Sequence, residues 1–314
     1  MAAKRNSPPG KVATFFSALG LLASSPARRL ALLVLLVGGV GGGSYYAWDR
    51  WGQQIAQSPE YFLNPEHIHI TPKPDWVHGD VKAEVVRDGG LAGLSILDKQ
   101  LTVKVAQAFA KHMWVEEVTR VSKHHPAQVM VELVYRRPVA MVEVTLNDQP
   151  GLLPIDVNGA LLPPNDFQPD QTRQYLRVSA PQATPAGPVG TPWGDPRVHG
   201  AARIAAILLD HWRKLGLHRI VPSAPAGGAA PADQITYDLV TRGGSRIIWG
   251  KAPDPQNAAD LAAARKKISK LLTYIETSGP LDSAKGPVEL DISQAKRSES
   301  PEAQTLPAST PVDK

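Results

Sequence analysis

No cysteine occurs in the 314 residues, which excludes disulfides, thiolate metal sites and thiol nucleophiles together. The usual marks of catalysis are missing as well. The chain has no Walker phosphate loop, no dinucleotide-binding glycine fingerprint, no HExxH and no GxSxG. Gly38 to Gly43 is rich in glycine, but it lies inside an apolar run and not between a strand and a helix, so it is no phosphate cradle. An enzyme needs a nucleophile, an acid/base pair, a metal cluster or a phosphate site. The expectation is therefore a non-catalytic protein with no cofactor, no metal and no small-molecule substrate.

Acidic residues are missing from the first 29 positions, where Lys4, Arg5, Lys11, Arg28 and Arg29 stand. Those five belong to a total of 34 basic residues, and the other 29 equal the 29 acidic ones. The formal charge of +5 is thus confined to one end, and the remainder is neutral. A neutral body has no overall electrostatic drive toward phosphate backbones, so nucleic-acid binding is not expected.

Charge of either sign is missing from Leu30 to Trp48, a stretch of 19 residues. As a helix it measures about 28 Å at ~1.5 Å per residue, close to a hydrocarbon core of ~30 Å. Arg28 and Arg29 abut its start and Asp49 follows it, so residues 1–29 are predicted to be cytoplasmic and the body extracytoplasmic. Tyr45, Tyr46, Trp48 and Trp51 suit the aromatic belt at the outer headgroups. A cleaved signal peptide is the competing reading. The long basic leader and the lack of a clean small-x-small site favour an uncleaved anchor. Gly38 with Gly42, and Gly39 with Gly43, have the small-xxx-small spacing that seats a second transmembrane helix.

Prolines (29) and glycines (26) are above average, which points to loops and linkers in the body. Residues 49–65 read as a juxtamembrane linker with an amphipathic start. From 66 to 137 the alternations give a strand at Glu66–Thr71, a helix at Asp80–Val86 closed by Gly89-Gly90, and a helix at about Asp98–Lys111 capped by Asp98. Two strands follow, Trp114–Ser122 and Gln128–Tyr135.

From 138 to 293 a second block is predicted. It has strands at Val139–Leu146, Tyr175–Val178, Ile235–Val240, Arg246–Trp249 and Val288–Ile292, and helices at Ala201–Leu215 and Ala258–Glu276. Asp148–Gly151 reads as a turn. Asn158-Gly159 reads as a hairpin turn between Leu152–Ile155 and Ala160–Leu162. Residues 163–196 are Pro-rich and irregular, Pro222–Pro231 is a small-residue loop, and the polar stretch 294–314 is expected to be disordered. The fold class is α+β.

The basic tail, the anchor and the strand-helix-helix-strand-strand unit resemble FtsQ/DivIB, the bitopic bacterial cell-division proteins. Trp114-Val115-Glu116-Glu117-Val118 is similar to the start of a POTRA strand in that family. Val131-Glu132-Leu133 with Arg136-Arg137-Pro138-Val139-Ala140 resembles its interdomain junction, and Ile155-Asp156-Val157-Asn158-Gly159 resembles the turn that opens its second domain. Arg242-Gly243-Gly244 with Ile247-Ile248-Trp249-Gly250, and then Glu289-Leu290-Asp291-Ile292, resemble its late strands.

The resemblance implies a POTRA-like βααββ domain, then a mostly antiparallel β domain with flanking helices. It implies a scaffold of the septum-forming machinery in the bacterial inner membrane, with bitopic partners like FtsB and FtsL held along the terminal strand. Ser293 and Gln294 depart from the pattern, since the family tends to have Arg and Tyr there. A POTRA-containing envelope assembly or secretion factor and a membrane-anchored periplasmic hydrolase are the alternatives.

Individual side chains sort as follows. His67 and His69 on one strand face, and the adjacent His124-His125, lack a third ligand at metal-binding spacing. Glu116 and Glu117 are neighbours on a strand, so one inward and one solvated residue is expected. Trp114 is expected to pack in the core or at its rim, and Arg136 and Arg137 to lie at a solvated junction before Pro138. If Val288, Glu289, Leu290, Asp291 and Ile292 form an edge strand, a partner strand can add to it, and Leu290→Pro is expected to abolish that pairing.

Overall fold

The first helix does not stop at Trp48. In the computed structural model, which describes residues 26–56, 58–146, 148–180, 182–223, 231–282 and 287–293, helix α1 runs over Pro26–Ala56. Nothing between Asp49 and Ala56 breaks it, and Pro59 is the first residue that forbids continuation. Within it, Arg29–Gly52 is long and apolar enough to cross a membrane, with a mean hydropathy of 1.7. The most apolar 18 residues of that span are not covered by the rest of the protein, and Leu35 is 72% exposed. An apolar surface this large left bare points to lipid as its solvent. Single turns at Pro59–Tyr61 and Pro65–His67 lead on to the body. The expected basic tail up to residue 25 and the polar stretch 294–314 lie outside the described residues.

A small unit follows. Strand β1 (Ile68–Ile70), helices α2 (Val81–Asp88) and α3 (Leu101–Ala110), and strands β2 (Val115–His124) and β3 (Gln128–Tyr135) occur in that order. The sheet order is β1-β3-β2, with β1 parallel and β2 antiparallel to β3. Asp80 caps α2 by accepting from Ala83 N–H at 3.0 Å, and the helix closes at Gly89. Asp98 does not cap α3. It accepts from Gln100 N–H at 2.8 Å, ordering the turn before the helix. Val129, Val131, Leu133 and Tyr135 face the helices and are buried, while Met130, Glu132 and Val134 face away. With Val105, Phe109 and Trp114 they form one hydrophobic core.

The larger unit is a seven-stranded sheet in the order β10-β9-β8-β7-β6-β4-β5. Its strands are β4 (Pro138–Leu146), β5 (Gln149–Asp156), β6 (Leu176–Ser179), β7 (Leu217–Ser223), β8 (Thr236–Thr241), β9 (Arg246–Gly250) and β10 (Glu289–Asp291). Helices α4 (Pro169–Thr172, a single turn), α5 (Pro196–Leu208) and α6 (Ala258–Ser278) complete it. Apolar residues of α5 and α6, Ile204, Leu208, Ile268 and Leu271 among them, share a core with Val142, Val178, Ile220, Leu239, Ile247 and Trp249.

The sheet is mixed: its longest ladders are antiparallel, as expected, and parallel pairs stand beside them. β4–β5, β7–β8 and β8–β9 are antiparallel, but β4–β6, β6–β7 and β9–β10 are parallel. For β6–β7 and β9–β10 the reason is a helix: α5 returns the chain between β6 and β7, and α6 between β9 and β10, and such crossovers make parallel neighbours.

Local boundaries move for equally plain reasons. The predicted turn at Asp148–Gly151 tightens so that Leu146 pairs with Gln149, with Asp148 at φ 61°. Asp195 accepts from Arg197 N–H at 2.8 Å and Pro196 takes the first helical position, so α5 begins five residues before Ala201. Ala160–Leu162 makes only isolated bridges, Ile155 to Leu161 and Ala160 to Pro192, and no strand. On α5, Gly200 lets the Tyr237 ring of β8 come close, since a Cβ there would collide with the Tyr237 hydroxyl. That hydroxyl lies 3.3 Å from both the Pro196 and Arg197 carbonyls, to which it donates.

Candidate functional site

Two places gather the residues singled out in the sequence. The first is the junction between the sheets. Arg136 lies between β3 and β4, and its N–H donates to the Trp114 carbonyl at 2.9 Å. Its carbonyl accepts from Trp76 Nε1 at 3.0 Å. Its guanidinium donates through Nη1 to Asp156 Oδ2 at 2.6 Å, where the Asp156 side chain is only 1% exposed. The other carboxylate oxygen of Asp156 accepts from the Asn158 and Ala160 N–H groups at 2.9 and 2.8 Å. Gly159 completes this turn at φ 67°.

The solvated reading of Arg136 is therefore corrected: a carboxylate buried in the turn needs a cation beside it, and Arg136 supplies it. Arg137 instead stands over the Trp76 ring at 5.8 Å, and Pro138 begins β4. Trp114 is 2% exposed and belongs to the first core, and its Nε1 reaches across to Asp166 Oδ2 at 2.7 Å. Its ring lies 6.1 Å from that of Phe167, and the buried Leu162 packs into the small unit's core. Asn158 Nδ2 donates to Glu116 Oε1 at 2.7 Å. Glu116 and Glu117 are both exposed, contrary to the alternation expected, because the β2 register shifts between Val115 and Glu117.

The second place is β10, which ends the seven-stranded sheet. Arg246 N–H donates to the Val288 carbonyl at 2.9 Å and Ile292 N–H to the Ile248 carbonyl at 3.1 Å. In a parallel ladder this alternation turns both ladder groups of Leu290 toward β9 and those of Glu289 and Asp291 outward. The expectation for Leu290→Pro is corrected accordingly. It would break the bond to β9, whereas the outward N–H groups belong to Glu289 and Asp291.

The approach to β10 is held by Ser245, whose hydroxyl donates to the Leu281 carbonyl at 2.8 Å and accepts from Val288 N–H at 3.1 Å. Asp282 closes the β8–β9 turn by accepting from Gly243 N–H at 2.7 Å and from the Thr241 hydroxyl. Desolvation alone would raise the Asp282 pKa. The donors from Thr241, Gly243 and Ser245 outweigh it and hold the carboxyl below its ordinary range.

The remaining candidates stay apart. A Cβ added at Gly38, Gly39, Gly42 or Gly43 would meet nothing within 4 Å, so that face of α1 lies open. His67 belongs to the single turn before β1 and not to the strand, while His69 is exposed on β1. His124 ends β2 with its Nε2 3.1 Å from the Ser122 hydroxyl. Among the described residues no group of three or more His, Asp or Glu is placed to hold a metal ion. Trp76, Asp166 and Asp282 were not singled out from the sequence. Trp114, Arg136 and Asp156, each inside a motif given above, did carry a signal there.

Comparison with known proteins adds no identification: no protein-family model matches the chain, and no curated protein matches it.

Proposed function

We propose that this chain is a non-catalytic bitopic scaffold of the bacterial cell-division machinery, of the FtsQ/DivIB kind. In this reading α1 sits in the inner membrane with the N-terminus cytoplasmic, and the small unit is a POTRA-like domain. The larger sheet then holds bitopic subunits resembling FtsB and FtsL. The observation that carries the reading is the order of the small unit, strand-helix-helix-strand-strand with β1 parallel to β3, placed directly behind a membrane-length helix. An edge strand at the far end of the second sheet supports it, because β-augmentation needs outward backbone groups and no catalytic side chain. Arg28 and Arg29 at the start of the span support the orientation.

The test is live-cell imaging of a fluorescent protein fused to the N-terminus at native expression, combined with depletion. Concentration at the constriction site and failed division on depletion are expected. An even envelope signal with normal division would overturn the proposal and leave an envelope assembly factor as the better account.

A further inference from the structure

The β10 edge is short, and its side chains alternate in chemistry. Glu289 and Asp291 are exposed, and both point to the sheet face opposite the helices. Leu290 and Ile292 are half-buried against the core on the helix-covered face. The same two acidic residues carry the outward N–H and C=O groups. A strand laid against this edge therefore gains few backbone bonds, and its side chains must decide whether it stays.

On one face such a strand meets two exposed carboxylates that make no ion pair among the described residues, although Asp291 accepts from Ser293 N–H at 2.8 Å. Arg246 stands in register with Glu289, but its guanidinium is committed to Asp238 at 2.7 and 3.0 Å. Lys267 lies within the field of Asp291, but its Nζ donates to the Trp249 carbonyl at 2.7 Å. On the other face the strand meets Leu290 and Ile292. Like charges set opposite each other across strands repel, and opposite charges attract.

We infer that the β10 edge selects an extended segment of a partner protein in which lysine or arginine alternates with aliphatic residues. The cationic residues lie beside Glu289 and Asp291, and the aliphatic ones continue the Leu290–Ile292 side. This inference rests on the reading of β10 as a docking edge and names the chemistry of what docks there.

The test uses the full chain in a nonionic detergent with two synthetic eight-residue peptides, one alternating Lys and Val and the other Glu and Val. Affinity is read by fluorescence anisotropy and protection of residues 287–293 by hydrogen exchange. The Lys-Val peptide is expected to bind on the order of ten-fold more tightly, from two cross-strand charge pairs, and to slow exchange at 287–293. The double variant Glu289→Lys, Asp291→Lys is expected to reverse the preference, with exchange in β7 and β8 unchanged as the check on folding.

Equal binding and equal protection by both peptides would overturn the charge selection while leaving the docking edge standing. Absence of protection by either would remove the docking reading and the inference with it. Binding of the Lys-Val peptide without protection at 287–293 would place the cationic site elsewhere and sink the inference.

Discussion

The junction and the β10 edge make opposite uses of carboxylates. Asp156 is buried, and its oxygens are taken up by Arg136 and two backbone N–H groups. Glu289 and Asp291 are exposed beside backbone groups turned outward. The difference teaches how to separate joint from surface in a chain with no catalytic motif. A charged residue whose bonds are all satisfied inside the protein holds parts together, whereas a row of charges with spare backbone groups beside it is free to meet something else.

Removing the Asp156 carboxylate should have the largest effect. Asp156→Ala strands a half-buried guanidinium and two N–H groups, and a loss of about 3 kcal/mol is expected in chemical denaturation. A loss under ~1 kcal/mol would mean that Arg136 finds water on leaving the turn, and that the joint is looser than its geometry. Next come two prolines on β10. Leu290→Pro should cost roughly 1 kcal/mol by breaking a bond to β9, visible as faster exchange in β9. Glu289→Pro should stay within about 0.5 kcal/mol, because its N–H faces out, yet it should weaken capture of a strand. Equal destabilisation by both would show that the assigned ladder polarity is wrong.

The smallest effect concerns Asp282, close to the edge but holding a turn. Its folded pKa is depressed, so its contribution is present above the unfolded value of roughly 3.9 and disappears as the pH falls through the folded value. Asp282→Asn should therefore be less stable than the parent at neutral pH, and the gap should close on acidification below about pH 4. A gap independent of pH would assign the Asp282 contribution to the shape of its hydrogen bonds and not to its charge.

How much of this was legible depends on whether local period and tertiary setting agree. β3 could be read almost to the residue, because Val129, Val131, Leu133 and Tyr135 alternate with polar or exposed neighbours along a strand whose bulges fall on its partner β2. β7 was not read at all. His218 and Arg219 sit together where its register shifts, Pro222 interrupts it, and only Leu217 and Ile220 are buried. Missing β7 hid the parallel pairing with β6, although a helix at α5 between two strands already implied a crossover. The edge motif at 288–292 was visible as a strand. Which of its residues face outward was not, because that depends on the register with β9. The Trp114–Asp166 and Trp76–Arg136 contacts, 52 and 60 residues apart in the chain, leave no mark in any local pattern.

β10 is also the last described strand of the chain, joined to β9 across α6. Synthesis runs from the N-terminus, so every other strand of the sheet emerges before this one. A nascent chain that stops short of residue 288 exposes β9 instead, where the first residue is Arg246 and not a carboxylate. The unfinished border thus carries the Arg246–Asp238 ion pair at the position where the finished border carries Glu289.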